Sequence, residues 1–251
     1  ELISDREIEK DAKTKEVVDK IVAEFQALLN KVVAHTDVDL TTQNPEGTAR
    51  AIRNRETNLG DLCADAYRVT LGADIAIVNG GGIRKQIEAG DITLDDIYSV
   101  HPFGNTMCVI RVTGQQVLDA LEWGARAVPS ENGGFLQVSG LTYEIHTGVA
   151  SSAEKDENGM FTRVSGEYRV KNVMVGGQPL ELDKTYTLAS HNYMLLGHGD
   201  GYTMFDGCEV LGEDMMVDNQ VLITYITTTL GGVVGEQYAN PYGDGRIVAV
   251  E

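Results

Sequence analysis

The sequence predicts an α+β fold, in which helices and hairpin strands are intermixed along the chain. Several segments carry apolar residues three and four positions apart, which is typical of amphipathic helices. Beyond residue 135 the pattern changes to short strands interrupted by Gly and Asn. The 251 residues, of which 42% are apolar, are enough to bury a sizeable core.

The first predicted element is a long amphipathic helix over residues 5–34. Its apolar positions are Val18, Ile21, Val22, Phe25, Leu28, Leu29, Val32 and Val33. The first dozen residues are mostly polar and follow no preceding domain signal. We therefore expect a connector helix that joins this chain to a further N-terminal part.

Helix-start signals then recur along the chain. Asn58 with Asp61 three residues later predicts the N-terminus of a helix that runs to Leu71. The pairs Thr93 with Asp96 and Thr113 with Gln116 have the spacing of capping boxes. A last helix is expected over residues 218–230. Strands are predicted over residues 74–78, 105–113, 141–146, 163–175, 185–190 and 246–250.

The charge balance argues against two classes of partner. The chain has 38 acidic and 20 basic residues, a formal net charge of −18, which repels nucleic-acid phosphates and anionic lipid surfaces. Its apolar runs are far shorter than the roughly 20 residues of a membrane-spanning helix. We therefore expect no nucleic-acid partner and no membrane insertion of this chain.

The sequence also lacks the signature of a catalytic centre. The five histidines show neither His-x-His nor HExxH spacing, and no Gly-x-Ser-x-Gly element is present. The three cysteines are scattered along the chain. These patterns predict no metal site and no catalytic residue within the chain.

A glycine-rich segment, residues 79–84, follows the predicted buried strand. It contains three consecutive glycines, including Gly81, and fits neither a dinucleotide fingerprint nor a P-loop. Asn79 offers both donors and acceptors, and Arg84 offers a rigid fork of donors. The segment is either a ligand-binding loop or a structural turn in which Arg84 pairs with a surface acid.

Further candidates lie on other loops. Arg53 and Arg55 are either anion or hydroxyl binders or members of solvated salt bridges. Phe103 and Tyr193 stand beside Pro and Gly positions, where they could clamp a flat ring; core packing is the alternative for each. Asp200, between glycines, either accepts hydrogen bonds from sugar hydroxyls or closes a turn.

Taken in order, these motifs resemble the C-terminal domain of the 5'-nucleotidase family, which includes ecto-5'-nucleotidases and UDP-sugar hydrolases. The resemblance extends from about residue 15 to the C-terminus. The matching segments are RxRExNLGD at residues 53–61, ADIAIVNGGGIR at 73–84, GDIT at 90–93, PFG at 102–104, GFLQVSG at 134–140 and GDGY at 199–202. Each glycine motif alone is weak, but the collinear set is specific.

The resemblance implies a fold of mixed sheets layered with helices. It divides the chain into a connector helix, residues 1–36, and a C-terminal substrate-binding domain, residues 37–251. It also implies a separate N-terminal metallophosphatase domain that holds two divalent metal ions and the catalytic residues. An extracellular, cell-surface or periplasmic location is implied in the same way.

The resemblance assigns roles to single residues. Phe103 and Tyr193 match the aromatic pair that sandwiches the base, and Asp200 matches the acid that holds the ribose hydroxyls. The segment at residues 192–201 is one residue longer than the family pattern, with His198 interrupting the paired glycines. Met194 is therefore an alternative to Tyr193, and His198 is a further candidate contact.

The remaining assignments concern polar contacts. Asn79 and Gly81 lie where the family contacts the base and the substrate. Arg53 and Arg84 resemble the arginines that reach substrate hydroxyls or phosphate.

Together these expectations describe the nucleoside- or nucleotide-binding specificity domain of a metallophosphohydrolase, inactive without its metal domain. The alternatives are a free-standing nucleoside or nucleotide binding module and a structural surface-interaction domain. The base preference, the oligomeric state and the choice among nucleoside monophosphate, UDP-sugar and cyclic nucleotide stay open.

Overall fold

A computed structural model describes residues 11–251, and it confirms the α+β fold with mixed sheets layered with helices. The helices are α1 (Ala12–Leu29), α2 (Asn58–Leu71), α3 (Leu94–Val100), α4 (Gly114–Ala125), α5 (Asn192–Leu195) and α6 (Asp218–Thr224). The strands are β1 (Val32–Thr36), β2 (Ile75–Asn79), β3 (Gly90–Thr93), β4 (Met107–Thr113), β5 (Leu136–Ser139), β6 (Leu141–His146), β7 (Ala153–Lys155), β8 (Phe161–Val164), β9 (Val170–Val175), β10 (Gln178–Pro179), β11 (Thr185–His191), β12 (Glu209–Gly212), β13 (Val233–Val234) and β14 (Ile247–Val250).

A five-stranded sheet with the order β12-β4-β11-β2-β5 lies at the centre of the fold. Strands β2 and β11 are parallel neighbours, and the other pairs are antiparallel. Side chains of β2 alternate between two hydrophobic cores, with Ile75 and Ile77 in one and Ala76 and Val78 in the other. Strand β2 is buried along its whole length because both faces of the sheet are covered.

The two faces are covered by different elements. The core that contains Ile75 also holds Trp123 of α4 and Tyr143 of β6, so α4 and the sheet β10-β9-β6-β14 lie on that side. The core that contains Ala76 is formed with α2, α3 and α6. Full burial of a large apolar side chain contributes about 1.5–3 kcal/mol, so these cores hold the central sheet in place.

The predicted capping boxes are both present. Thr93 and Thr113 each accept a hydrogen bond from the backbone N–H three residues later, and the Asp96 and Gln116 side chains accept from the cap backbone. Helix α2 ends at Leu71, as expected.

The cap of α2, however, is Thr57 and not Asn58. The Thr57 hydroxyl accepts from the backbone N–H of Gly60. The Asn58 side chain is buried, and its amide donates to the backbone oxygens of Asp39 and Tyr238. Asn58 therefore joins three segments of the chain instead of capping the helix.

The N-terminal helix is confirmed but is shorter than predicted at its C-terminal end. Residues 1–10 lie outside the described part of the chain, and α1 ends at Leu29. The expected continuation of the helix to residue 34 is strand β1 instead, which ends at Thr36. Strand β1 pairs with β3 and with β13, so sheet hydrogen bonds outweigh the helical periodicity of the sequence.

Two other predicted elements differ from the structure. The strand expected over residues 163–175 is two strands, because β8 pairs with β7 whereas β9 pairs with β6 in another sheet. The last helix, α6, ends at Thr224, and the chain continues as a π-helix over Tyr225–Thr229.

Within residues 11–251, no helix has both the length and the apolar character that crossing a bilayer requires.

Candidate functional site

One cavity of about 400 Å³ brings together all seven residues to which the family resemblance assigns a substrate contact. Its lining comprises Arg53, Asn79, Gly81, Gly82, Arg84, Phe103, Asn105, Gly133, His191, Tyr193 and Asp200. A larger cavity of about 740 Å³, near Leu40 and Tyr242, contains none of them. We therefore treat the smaller cavity as the candidate site.

The cavity lies at the carboxyl ends of two parallel strands. Asn79 is the last residue of β2, and His191 is the last residue of β11. The strands are aligned with Leu188 opposite Ile75, so they end at the same edge of the central sheet. In open α/β sheets, ligands bind outside the carboxyl ends of parallel strands.

The turn after β2 requires glycine because the backbones of other chain segments approach it closely. A Cβ on Gly80 would lie 2.1 Å from the backbone oxygen of Ile52, and one on Gly81 would lie 2.9 Å from the Gly133 oxygen. The backbone N–H of Gly81 donates to that same Gly133 oxygen at 2.7 Å. The turn is therefore packed between two other chain segments, which larger residues would push apart.

A hydrogen-bonded chain of side chains forms one wall of the cavity. Nδ2 of Asn79 donates to Oδ2 of Asp200 at 2.7 Å, and Oδ1 of Asn79 lies 3.2 Å from Nε2 of His191. Burial lowers the pKa of His191 to about 4, so its imidazole is neutral near pH 7.

Asp200 is held by its backbone as well as by its carboxylate. It has a left-handed conformation, with φ of 54°, which costs an Asp residue about 1 kcal/mol. Its backbone oxygen accepts from Nε1 of Trp123 at 2.9 Å. Its backbone N–H donates to the Tyr193 hydroxyl at 3.2 Å, and that hydroxyl donates to Oδ1 of Asp200 at 3.3 Å.

Two aromatic rings line the cavity without being buried. Phe103 is 61% exposed and Tyr193 is 43% exposed, so core packing does not account for either ring. The Tyr193 ring lies against the bare backbone of Gly199, where an added Cβ would be 2.3 Å from Cε1 of the ring. Exposed rings at a cavity can stack on a flat ligand.

Neither Met194, the alternative to Tyr193, nor His198, the further candidate contact, lines the cavity. Met194 is fully buried in the hydrophobic core, so Tyr193 is the residue of this pair that reaches the cavity. His198 pairs with Asp206 and does not line the cavity.

Two arginines bring positive charge to the cavity. Burial lowers the pKa of Arg53, and the neighbouring Arg50 and Arg84 lower it further. Nη1 of Arg84 donates to the Gly81 oxygen at 3.1 Å, and its guanidinium carbon lies 5.9 Å from the Phe103 ring centroid.

The salt-bridge alternatives for these arginines are wrong in the part of the chain that is described. Neither Arg53 nor Arg84 forms an ion pair there. Arg55 lies outside the cavity, with its guanidinium 5.7 Å from the Tyr242 ring centroid. Arg53 and Arg84 are therefore the pair available to an anion.

Three residues of the lining, Asn105, Gly133 and His191, were not predicted, whereas Gly82 belongs to the glycine-rich segment already noted. Asn105 follows the PFG motif by one residue, and Gly133 belongs to a glycine pair, so both had a local signal. His191 had no such signal, because a histidine at the end of a buried strand is typical of core residues.

Among residues 11–251, no three metal-ligating side chains are grouped to hold an ion.

The fold and the cavity define a ligand-binding domain that presents exposed aromatic rings, a carboxylate and arginines at one sheet edge. Residues 32–207 match the family model described as "5'-nucleotidase, C-terminal domain". The chain belongs to this family.

Similar proteins match most of the length of the chain. It is 34% identical over 250 residues, 98% of its length, to the trifunctional nucleotide phosphoesterase protein YfkN of Bacillus subtilis. It is 31% identical over 220 residues, 88% of its length, to a 5'-nucleotidase of Vibrio cholerae. A crystal structure of a 5'-nucleotidase precursor from Thermus thermophilus superimposes with a TM-score of 0.76 and 31% identity over 98% of the chain.

The chain corresponds to only a part of each of these proteins. It spans 16% of the Bacillus protein, 35% of the Vibrio protein and 45% of the Thermus chain.

Proposed function

We propose that this chain binds the nucleoside part of a nucleotide and sets the substrate specificity of a 5'-nucleotidase-type phosphohydrolase. The observation that carries the proposal is the single cavity that gathers Phe103, Tyr193, Asp200 and the arginines Arg53 and Arg84. These residues come from distant parts of the chain, and each offers a contact suited to one part of a nucleotide.

The aromatic residues suit a nucleobase. In the proposal, the base stacks on Phe103 and Tyr193, a contact worth about 1–3 kcal/mol per base. Asn79 and Gly81 contact the base or the adjoining part of the substrate. The carboxylate of Asp200 accepts hydrogen bonds from the ribose hydroxyls, because an ionised carboxylate only accepts.

The arginines suit a phosphate group. Burial lowers the pKa of Arg53, and repulsion from the neighbouring Arg50 and Arg84 lowers it further. A bound phosphate would relieve the repulsion and form charge-assisted hydrogen bonds. The positive charge is local, since the chain as a whole carries a net charge of −18.

The proposal places catalysis in another part of a longer protein. Residues 1–36 would connect this domain, residues 37–251, to an N-terminal metallophosphatase domain that holds two divalent metal ions. The metal ions would supply the water-activating chemistry of phosphate hydrolysis there, while the residues of this domain would position the substrate. We further propose that the protein acts outside the cell, at the cell surface or in the periplasm, with no nucleic-acid partner.

The direct test is calorimetric titration of the chain with adenosine, AMP, UMP and UDP-glucose. We expect saturable binding that the Phe103→Ala substitution weakens about 5- to 100-fold, the loss of one stacked base. Tyr98→Ala is the matched control, because Tyr98 is also partly exposed but lies outside the cavity. Folded protein that binds none of the four ligands contradicts the proposal.

A second measurement separates a hydrolase domain from a free-standing binding module. The longer protein that contains this chain is assayed for phosphate release from AMP and UDP-glucose, with divalent metal and then with a chelator. We expect activity that the chelator abolishes. Binding without any hydrolysis would support the module without catalysis instead.

A further inference from the structure

We propose that His191 is a positioning residue, which holds the Asn79 amide so that its NH₂ group faces Asp200 and orients that carboxylate. The inference rests on the proposed function, because the oriented carboxylate is the group that would receive the ribose hydroxyls. His191 would act on the sugar only through Asn79 and Asp200.

The orientation of Asn79 follows from its two partners. Oδ2 of Asp200, 2.7 Å from the amide, can only accept, so the NH₂ group of Asn79 must face it. The amide oxygen then faces Nε2 of His191 at 3.2 Å and requires a donor there. His191 must therefore carry a proton on Nε2.

The surroundings of His191 favour this tautomer. The side chain is 1% exposed, and Nδ1 is buried with no partner in the described part of the chain. The single proton of a neutral imidazole gains a hydrogen bond only on Nε2, and burial lowers the pKa of the ring to about 4.

Aromatic contacts fix the plane of the imidazole. Its centroid lies 6.2 Å from that of Tyr67, edge to face, and 6.0 Å from that of Tyr193. The ring is therefore held between the core and the cavity, and its one polar contact is aimed at Asn79.

Without the His191 donor, the Asn79 oxygen would be left buried and unpaired. The opposite orientation of the amide would then place its oxygen against the Asp200 carboxylate, where two acceptors repel. Either outcome would weaken the hold on Oδ2 of Asp200, while Oδ1 would keep its contact with the Tyr193 hydroxyl. The loss should fall on contacts to the sugar hydroxyls and leave base stacking intact.

The test compares adenosine with 2',3'-dideoxyadenosine, which lacks both hydroxyls, in calorimetric titrations of the chain. We expect His191→Phe, which keeps the ring but removes the donor, to reduce the preference for adenosine about tenfold. His191→Gln ends in an NH₂ group and should retain the preference to within about threefold. Thermal unfolding of both variants establishes that they are folded.

The outcomes separate the two proposals. If both ligands weaken equally in His191→Phe, the role is only structural and the inference is overturned. If the wild-type chain binds neither ligand, the nucleoside function fails by itself. The ¹⁵N shifts of the His191 imidazole then test the positioning without a ligand: the Nε2-protonated tautomer supports it, and the Nδ1-protonated tautomer overturns it.

Discussion

The amide of Asn79 and the carboxylate of Asp200 are joined by a 2.7 Å hydrogen bond across a sequence separation of 121 residues. Asn79 begins the glycine turn after β2, and Asp200 lies in the second glycine cluster. The bond therefore makes two separate motifs of the sequence into one wall of the cavity. Phe103 and Tyr193 line the same cavity. Substitutions around this cavity should therefore be assessed by their effect on ligand affinity.

Gly199→Ala should weaken nucleoside binding with little loss of stability. The new Cβ would lie 2.3 Å from Cε1 of Tyr193, which is the end of a partly exposed side chain and can swing away. Displacing one stacked ring should weaken adenosine binding about 5- to 100-fold. Calorimetry measures the affinity, and urea unfolding measures the stability.

Gly148→Ala is the matched control for this substitution, because an added Cβ there has no neighbour within 4 Å. It should bind adenosine as the wild type does. Wild-type affinity in Gly199→Ala would mean that the position of the Tyr193 ring does not matter for binding.

Tyr193→Phe should keep the stacking ring but release Asp200. The Tyr193 hydroxyl contacts both the backbone N–H and Oδ1 of Asp200, the residue that we propose for the ribose hydroxyls. Of the two hydrogen bonds lost, the one to Oδ1 orients the carboxylate, and its loss at about 1 kcal/mol predicts roughly fivefold weaker adenosine binding. Titration with 2',3'-dideoxyadenosine should show no change, and an equal change for both ligands would contradict the assignment.

Arg53→Met should separate phosphate binding from nucleoside binding. The substitution keeps much of the aliphatic bulk and removes the guanidinium, so adenosine affinity should change less than twofold while AMP affinity falls about tenfold or more. Arg55→Met is the matched control, since Arg55 lies two residues away and outside the cavity. Equal losses for AMP and adenosine in Arg53→Met would place the arginine on the nucleoside instead.

Local signals explain why much of the fold could be predicted. The capping boxes at Thr93 and Thr113 involve residues three positions apart, so the sequence contains both partners of each hydrogen bond. Strand β1 could not be recognised in this way. Its partner β13 lies about 200 residues further along the chain, and the apolar spacing of residues 32–33 also fits a helix.

The site shows the same division between local and distant information. Short sequence motifs identify Phe103, Asp200 and the glycines of residues 80–82 as candidates: the PFG segment and the two glycine clusters. The role of His191 depends on its contact with Asn79, which is 112 residues away. Local chemistry alone did not distinguish Arg53 from Arg55; the family resemblance assigned the contact to Arg53, and only Arg53 lines the cavity.

His101 should make the chain less stable as the pH falls. Burial, followed by repulsion from His191, lowers the pKa of His101 to about 3 in the folded chain, against an ordinary value of about 6.5. Between these values the unfolded chain binds a proton that the folded chain does not, so the free energy of unfolding decreases with falling pH. From pH 7 to pH 5 this lowers the free energy of unfolding by about 2 kcal/mol.

The measurement compares urea unfolding of the wild type and His101→Gln at pH 5, 6 and 7. Asp61 acts in the opposite sense, because burial raises its carboxyl pKa to about 8 and the folded chain then binds the extra proton. Both proteins retain Asp61 and His191, so the difference between their curves isolates His101. The wild type should lose about 2 kcal/mol relative to the variant between pH 7 and pH 5, whereas parallel curves would mean that folding does not change the pKa of His101.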